Sequence, residues 1–314
     1  MFGLSCISET FFATDDHVLR NTIWVCNGSI ELSLQDRLDL INPEGWLSDN
    51  HMNAFHDLLK LKFPAAQGLQ DTLSFTIQRV NTAVLMNSLE SLRKRHVYEK
   101  NWKADDRKMQ TLLVGGNHWI VVTNQHPGSA NLIVVYDTLA YNPDEDFGHL
   151  VAAVFRPTSP TLYVCWPVMQ RQRGGSICGV QCAANLTCLC MGRRPDQCMF
   201  VHEVAWFIQK VFYISLPVAF LLLQEIRMHM VRCLESSDAT MFPTLTAPDL
   251  IAEVPTQRRL QASYRIICGC RMPLEPGEET WICPNRECGI GTFHGTCINR
   301  SRRTTVCPEC LQCT

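Results

Sequence analysis

Apolar positions along the chain recur with two different spacings. Between Ser48 and Pro64, the residues Met52, Phe55, Leu58, Leu59 and Leu61 fall mostly on one helical face, Ser48 is suited to cap the start and Pro64 to end it. That pattern predicts an amphipathic helix. Segments 73–80, 111–114, 118–123, 132–136 and 162–168 are instead short and rich in β-branched or aromatic residues, and several are bounded by Gly, Asn or Pro. They predict strands of one sheet, with Gly115-Gly116-Asn117 as a tight turn between two of them. A further helix is expected from near Cys178, after Gly174-Gly175, and two apolar helices over 201–213 and 218–234, with Pro217 between them. Residues 1–40 alternate short apolar and polar pieces without a motif. Residues 236–262, with Pro243, Pro248 and Pro255 and few large apolar side chains, read as a linker.

Composition narrows the class. The chain has 314 residues, 46% hydrophobic and 18% charged, with 17 Gly and 16 Pro, which excludes disordered, collagen-like and low-complexity proteins and allows one large domain or two smaller ones. The net charge of -2 divides into +3 over 256–314 and −5 over 1–255, too small an asymmetry to imply direct nucleic-acid binding. The most apolar stretch, 199–223, is interrupted by His202, Glu203, Gln209 and Lys210, and its uninterrupted part is shorter than the about 20 residues a membrane span needs. Buried core helices and no membrane association are expected. Of 17 Cys, eight lie in the last 47 residues and the rest are scattered. The first twenty residues contain Glu9, Asp15 and Asp16 and no signal-peptide pattern, so a reducing compartment, nucleus or cytoplasm, is expected.

Candidate chemistry lies at strand ends and loops. His118 opens a strand, Asp137 ends the next, and Cys178 follows Gly174-Gly175-Ser176 at the start of a helix. There the positive end of the helix dipole and unpaired N–H groups favour a thiolate. An imidazole takes the thiol proton, a carboxylate on its other nitrogen fixes the tautomer, and Gln172 has the reach to donate an amide N–H to a developing oxyanion. Singly, each residue has an ordinary reading. A buried Cys is usually a small core residue, as expected for Cys182, Cys188 and Cys190, and an Asp after a strand is commonly a turn residue. The conjunction is what points to nucleophilic catalysis.

These residues resemble the ubiquitin-like-protein-specific cysteine proteases, the SUMO-protease family and its transposon-borne relatives. The resemblance rests on His118-Trp119, Asp137 in Tyr-Asp-Thr-Leu, Gln172 with Cys178-Gly179 in Gln-Arg-Gly-Gly-Ser-Ile-Cys-Gly, and Trp46-Leu47-Ser48-Asp49, and covers about residues 40–235. It implies an α+β papain-like fold, a central mixed sheet with flanking helices. It also implies His118 as general base, Asp137 as its orienting partner, Gln172 in the oxyanion hole and Cys178 as nucleophile, with Trp46, Asp49 and Trp119 binding substrate. The two indoles would enclose the Gly-Gly end of a ubiquitin-like modifier, since only glycine lacks a Cβ. Two positions depart from the family pattern: Ile177 precedes the nucleophile where Asp is common, and Arg173-Gly174-Gly175 replaces Asn-Gly.

The tail carries Cys268, Cys270, Cys283, Cys288, His294, Cys297, Cys307 and Cys310 in the order four Cys, one His, three Cys. Thiolate and imidazole, four to an ion, suit two structural zinc ions, which would supply the folding free energy that so small an apolar content cannot. A disulfide set is the alternative. The order resembles a PHD finger, which implies Cys268, Cys270, His294 and Cys297 on one ion and Cys283, Cys288, Cys307 and Cys310 on the other, with a histone tail or another protein as partner. A RING-like ligase is another reading of the same ligands.

The expected division is therefore an N-terminal segment (1–40), a protease domain (41–235), a linker (236–262) and a finger (263–314), with residues 1–240 folding alone. The leading function is a thiol isopeptidase or endopeptidase that cleaves after Gly-Gly of a ubiquitin-like modifier and is recruited by its zinc module. The alternatives are a catalytically silent protein whose finger mediates chromatin or protein binding, and a polyprotein-processing peptidase.

Overall fold

The computed structural model describes residues 16–75, 108–125, 132–139, 147–157, 159–172, 174–200, 225–244, 260–267, 272–273, 279–285, 288, 291–295 and 297–298. The chain opens with a short helix α1 (Asp16–Asn21), a hairpin of β1 (Ile23–Asn27) and β2 (Ile30–Ser33), and α2 (Leu34–Ile41). Ser33 caps α2 in a reciprocal box with Asp36. These pieces escape a periodicity reading because each is too short to show a period.

Helix α3 (Asp49–Lys62) forms where the apolar stripe predicts it. Ser48 is its N-cap, and the residue that returns the bond is His51, whose Nδ1 accepts from the Ser48 N–H at 3.1 Å. Nε2 then carries the ring proton and donates to the Asp36 carbonyl at 2.8 Å, so one buried histidine starts α3 and ties it to α2. Met52, Phe55, Leu58 and Leu59 are wholly buried, whereas Leu61 is 65% exposed.

Residues 73–75, the described part of the expected strand 73–80, depart from it. Thr72–Phe75 is a 3₁₀ turn, because Asn53 accepts from the Thr72 N–H and Asp71 from the Leu73 N–H, drawing the backbone away from a ladder. Residues 76–80 lie outside the described residues, as does the expected helix 201–213. Of the expected 218–234 helix, the described part is α6 (Glu225–Ser236).

The remaining strands are β3 (Gln67–Gly68), β4 (Lys108–Val114), β5 (His118–Thr123), β6 (Leu132–Tyr136), β7 (Thr161–Trp166), β8 (Leu260–Ile267) and β9 (Met272–Pro273), with α4 (Phe147–Phe155) before β7 and α5 (Cys178–Cys190) after it. They form one seven-stranded mixed sheet in sequence order, with β3–β4 and β6–β7 parallel and the other neighbours antiparallel. The fold is α+β. Gly115 and Gly116, at φ 59° and 75°, make the turn that sets Val114 opposite His118. A Cβ at Gly116 would meet nothing within 4 Å, so what its place requires is the left-handed backbone rather than space.

Both faces of the sheet are covered, and the alternation along β5 and β6 decides which residue goes where. Trp119, Val121, Val134 and Tyr136 join the core beneath α3, α5 and α6, while Ile120, Val122, Ile133 and Val135 join a second core with α4. That second core includes Cys283 and Phe293 of the tail, with Trp281 packed against it. Two further short strands, β10 (Thr280–Ile282) and β11 (Thr292–His294), pair there.

Strand β8 corrects the expected linker. Residues 260–262 pair with 164–166 of β7, so the expected boundary at 262 falls inside a strand that β7 and β9 flank. Tyr264 of β8 packs so closely on α4 that a Cβ at Gly148 would come within 2.4 Å of its ring. The backbone ladder to β7 carries residues 260–262, and further along the strand Ile266 is buried in the second core and Tyr264 packs against it.

A chain ending at residue 244 would bare the ladder of β7 and one side of α4. It is expected to lose several kcal/mol, a large part of the ~5–15 kcal/mol that separates folded from unfolded domains, and to aggregate through the open edge. Urea unfolding of the truncated and full chains, with light scattering, measures this.

Candidate active site

The β5–β6 register, Val121 opposite Tyr136, places the start of β5 beside the end of β6. His118 and Asp137 meet there, with Nε2 2.8 Å from Oδ1 and both residues buried. Asp137 Oδ1 also accepts from the Leu139 N–H at 2.9 Å, which fixes the carboxylate before the imidazole reaches it. The Asp137 bond occupies Nε2, so Nδ1 is the nitrogen left for Cys178. It is buried and makes no hydrogen bond of ordinary geometry. The Cys178 contact is thus an electrostatic one in the free protein, of the kind that tightens when substrate fills the site.

Cys178 is the first residue of α5, and Ile177 at the N-cap offers no side chain to the helix N–H groups. Burial would push the Cys178 thiol up, but interaction with His118 and hydrogen bonds from the Trp119 and Gly179 backbone N–H groups outweigh it, and the net direction is down. Burial likewise opposes charge on His118, while Asp137 and the Cys178 sulfur favour it; the imidazole is pushed up to about 9. A thiolate beside an imidazolium is the arrangement these opposite directions favour near neutral pH. Gly179 is required by contact: a Cβ there would lie 2.9 Å from that of Leu47.

Gln172 is held at three points. Its N–H donates to the Thr138 carbonyl at 3.1 Å, its Oε1 accepts from the Thr138 hydroxyl at 2.5 Å and its Nε2 donates to the Gly174 carbonyl at 2.9 Å. The Thr138 hydroxyl therefore sets the amide orientation, leaving the second Nε2 hydrogen for a ligand. Thr138 escapes the sequence reading, although its place next to Asp137 was a signal.

Trp46 is 49% exposed, and a Cβ at Gly175 would lie 3.9 Å from its ring. Trp119 is buried, its indole N–H donating to the Leu47 carbonyl at 3.0 Å, so it supports the Trp46 loop from beneath. Asp49 occupies the first position of α3, half-buried, and takes no part in the hydrogen bonds that join the cluster.

No protein-family model and no curated protein matches this chain. Among solved structures it is similar to the SUMO protease Ulp1 with its catalytic cysteine oxidised to a sulfenic acid, at 15% identity and TM-score 0.45, covering 67% of this chain and 87% of that one. It is similar to the C-terminal Ulp1 protease domain in complex with Smt3, the yeast orthologue of SUMO, at 15% identity and TM-score 0.44, covering 68% and 88%. A third likeness is to the Xanthomonas campestris effector XopD bound to ubiquitin, at 14% identity and TM-score 0.32, covering 48% and 77%. Likeness of this degree assigns no activity to the chain. Among the described residues no helix is long and apolar enough to cross a membrane.

Of the eight residues expected as metal ligands in the tail, Cys268, Cys270, Cys307 and Cys310 lie outside the described residues, and no group of three or more metal-ligating side chains gathers among the described ones. Two of the residues expected on one ion do meet: His294 Nδ1 and Cys297 Sγ are 3.7 Å apart. Zinc–nitrogen and zinc–sulfur bonds of about 2.0 and 2.3 Å set at a tetrahedral angle give an edge of about 3.5 Å, close to this separation. His294 Nε2 donates to the Pro273 carbonyl at 2.8 Å, so Nδ1 is the unprotonated nitrogen and faces Cys297 Sγ. The Gly291 N–H points at Cys288 Sγ, 3.4 Å away, as suits a thiolate.

Alkylation of Cys178 by iodoacetamide, followed by peptide mass spectrometry, is expected to be fast at pH 7 and to rise with pH about a midpoint below that of an ordinary thiol. Asp137→Ala removes the group that stabilises imidazolium and is expected to move the midpoint upward. Gln172→Ala is expected to lower turnover by ~10²–10³-fold, the usual cost of one oxyanion donor, and Thr138→Val to lower it less.

Proposed function

We propose that the protein is a cysteine peptidase that cleaves after the Gly-Gly end of a ubiquitin-like modifier, as isopeptidase or endopeptidase. The observation that carries the reading is the buried line Asp137–His118–Cys178, with the sulfur at an uncapped helix N-terminus and Gln172 held beside it. In this mechanism His118 takes the thiol proton through Nδ1, Cys178 attacks the carbonyl carbon of the terminal glycine, and the oxyanion is met by Gln172 Nε2 and the N–H groups at the start of α5. His118 then returns the proton to the leaving amine, and water activated by the same imidazole releases the modifier. Trp46 and the Gly174-Gly175 loop would flank a backbone without side chains; Asp49 would contact the modifier body.

The tail, in this proposal, holds two structural zinc ions and docks a protein partner such as a histone tail. His294 and Cys297, with Cys268 and Cys270, would hold one ion, and Cys283, Cys288, Cys307 and Cys310 the other. Zinc would supply folding free energy to the tail and take no part in hydrolysis.

A panel of modifiers bearing C-terminal electrophiles tests the activity. Covalent capture of at least one Gly-Gly modifier by the wild type, lost in Cys178→Ala, is expected; capture that survives in Cys178→Ala would remove it as nucleophile, and no capture by the wild type would favour the silent or polyprotein-processing readings.

Elemental analysis of freshly purified protein is expected to give two zinc ions per chain, and chelation to lower the melting temperature because the tail shares the second core.

A further inference from the structure

Arg227 lies on the inward side of α6 and is 2% exposed, among Ile226, Met230, Val231, Cys233 and Leu234. Among the described residues no carboxylate pairs with it; its bonds go to backbone carbonyls and one hydroxyl. Nη1 donates to the Leu40 carbonyl in the last turn of α2 at 2.9 Å. Nη2 donates to the carbonyls of Gly45 at 2.7 Å and Ser176 at 3.0 Å, with longer contacts to the Ser176 hydroxyl at 3.3 Å and the Pro43 carbonyl at 3.4 Å. The Ser176 hydroxyl in turn donates to the Pro43 carbonyl at 2.7 Å. These carbonyls belong to two loops that share no ladder. One runs into Trp46 and Leu47, the other into Cys178. Gly175 and Trp46 face each other across them.

A buried guanidinium without a carboxylate is costly to desolvate, and an apolar side chain on α6 would pack there at less cost. We infer that Arg227 is a positioning residue of the site: it clamps the Trp46 loop to the Ser176 loop, which sets the width of a cleft for an extended glycine backbone, and it places a fixed positive charge on Ser176, two residues before Cys178. The inference rests on the peptidase reading above. Nη2 bridges the two loops and Nη1 adds the end of α2, a fixed fork in three directions that the single ammonium of a lysine does not reproduce. Burial pulls the guanidinium down to about 10, and the charges of Cys178 and of Glu44 oppose that fall.

Arg227→Lys, Arg227→Gln and Ser176→Ala separate the two roles, with near-ultraviolet circular dichroism checking the fold. Cys178 alkylation followed from pH 5 to 10 by mass spectrometry reads the charge without any substrate. Arg227→Gln is expected to raise the midpoint by about one unit, the low end of what one neighbouring opposite charge produces, whereas Arg227→Lys and Ser176→Ala keep it. Cleavage of fluorogenic modifiers ending in Gly-Gly or Gly-Ala reads the clamp. Arg227→Lys and Ser176→Ala are expected to raise KM for Gly-Gly more than they lower kcat, and to narrow the Gly-Gly over Gly-Ala preference.

Folded variants that keep both the wild-type midpoint and the wild-type preference would overturn the inference. Ser176→Ala removes one hydroxyl and decides the clamp even if both Arg227 variants fail to fold. A wild type that cleaves no Gly-Gly substrate overturns the peptidase reading and the clamp with it, while the alkylation midpoint still decides the charge.

Discussion

Cys178, His118 and Asp137 are each at most 5% exposed, so water cannot balance the charges the site must carry. Every charge there has to be met by a fixed group, and this requirement explains the placement of its neighbours. The thiolate meets imidazolium and the start of α5, imidazolium meets Asp137, and Asp137 is held by the Leu139 N–H. The groups come from segments far apart in sequence. None is preorganised until the sheet and its helices have packed.

The sheet supplies that packing because it is buried on both faces. A strand covered on one side alternates apolar and polar residues, whereas β5 and β6 run almost wholly apolar and divide their side chains between two cores. One core seats α5 and so the sulfur. The other is completed by α4 and by Phe293, Cys283 and Trp281 of the tail. The tail is therefore continuous with the sheet that orients His118, through β8, β9 and the His294 bond to Pro273. The described part of the tail shares a core with the sheet, so its packing is coupled to that of α4 and the strands.

Local pattern alone determined a good part of this protein. The α3 stripe, the turn at Gly115-Gly116 and the strands 118–123 and 132–136 were legible because each is specified within a few residues, by period, capping or backbone freedom. The candidate trio was legible as residue types at the ends of such elements. What local pattern could not carry was anything set by a distant partner. Thr72–Phe75 turns because of Asn53 and Asp71, β8 is a strand because β7 offers it a ladder, and Arg227 is tolerated in a core because five acceptor atoms of loop and helix end converge there only after α2, α6 and the loops at 43–45 and 176 have met. Sequence determined the elements that carry their own period, cap or turn and which side chains have reactive chemistry; the tertiary structure alone decided the elements that need a distant partner and which of those side chains share a site, because hydrogen bonds and burial act across space and not along the chain.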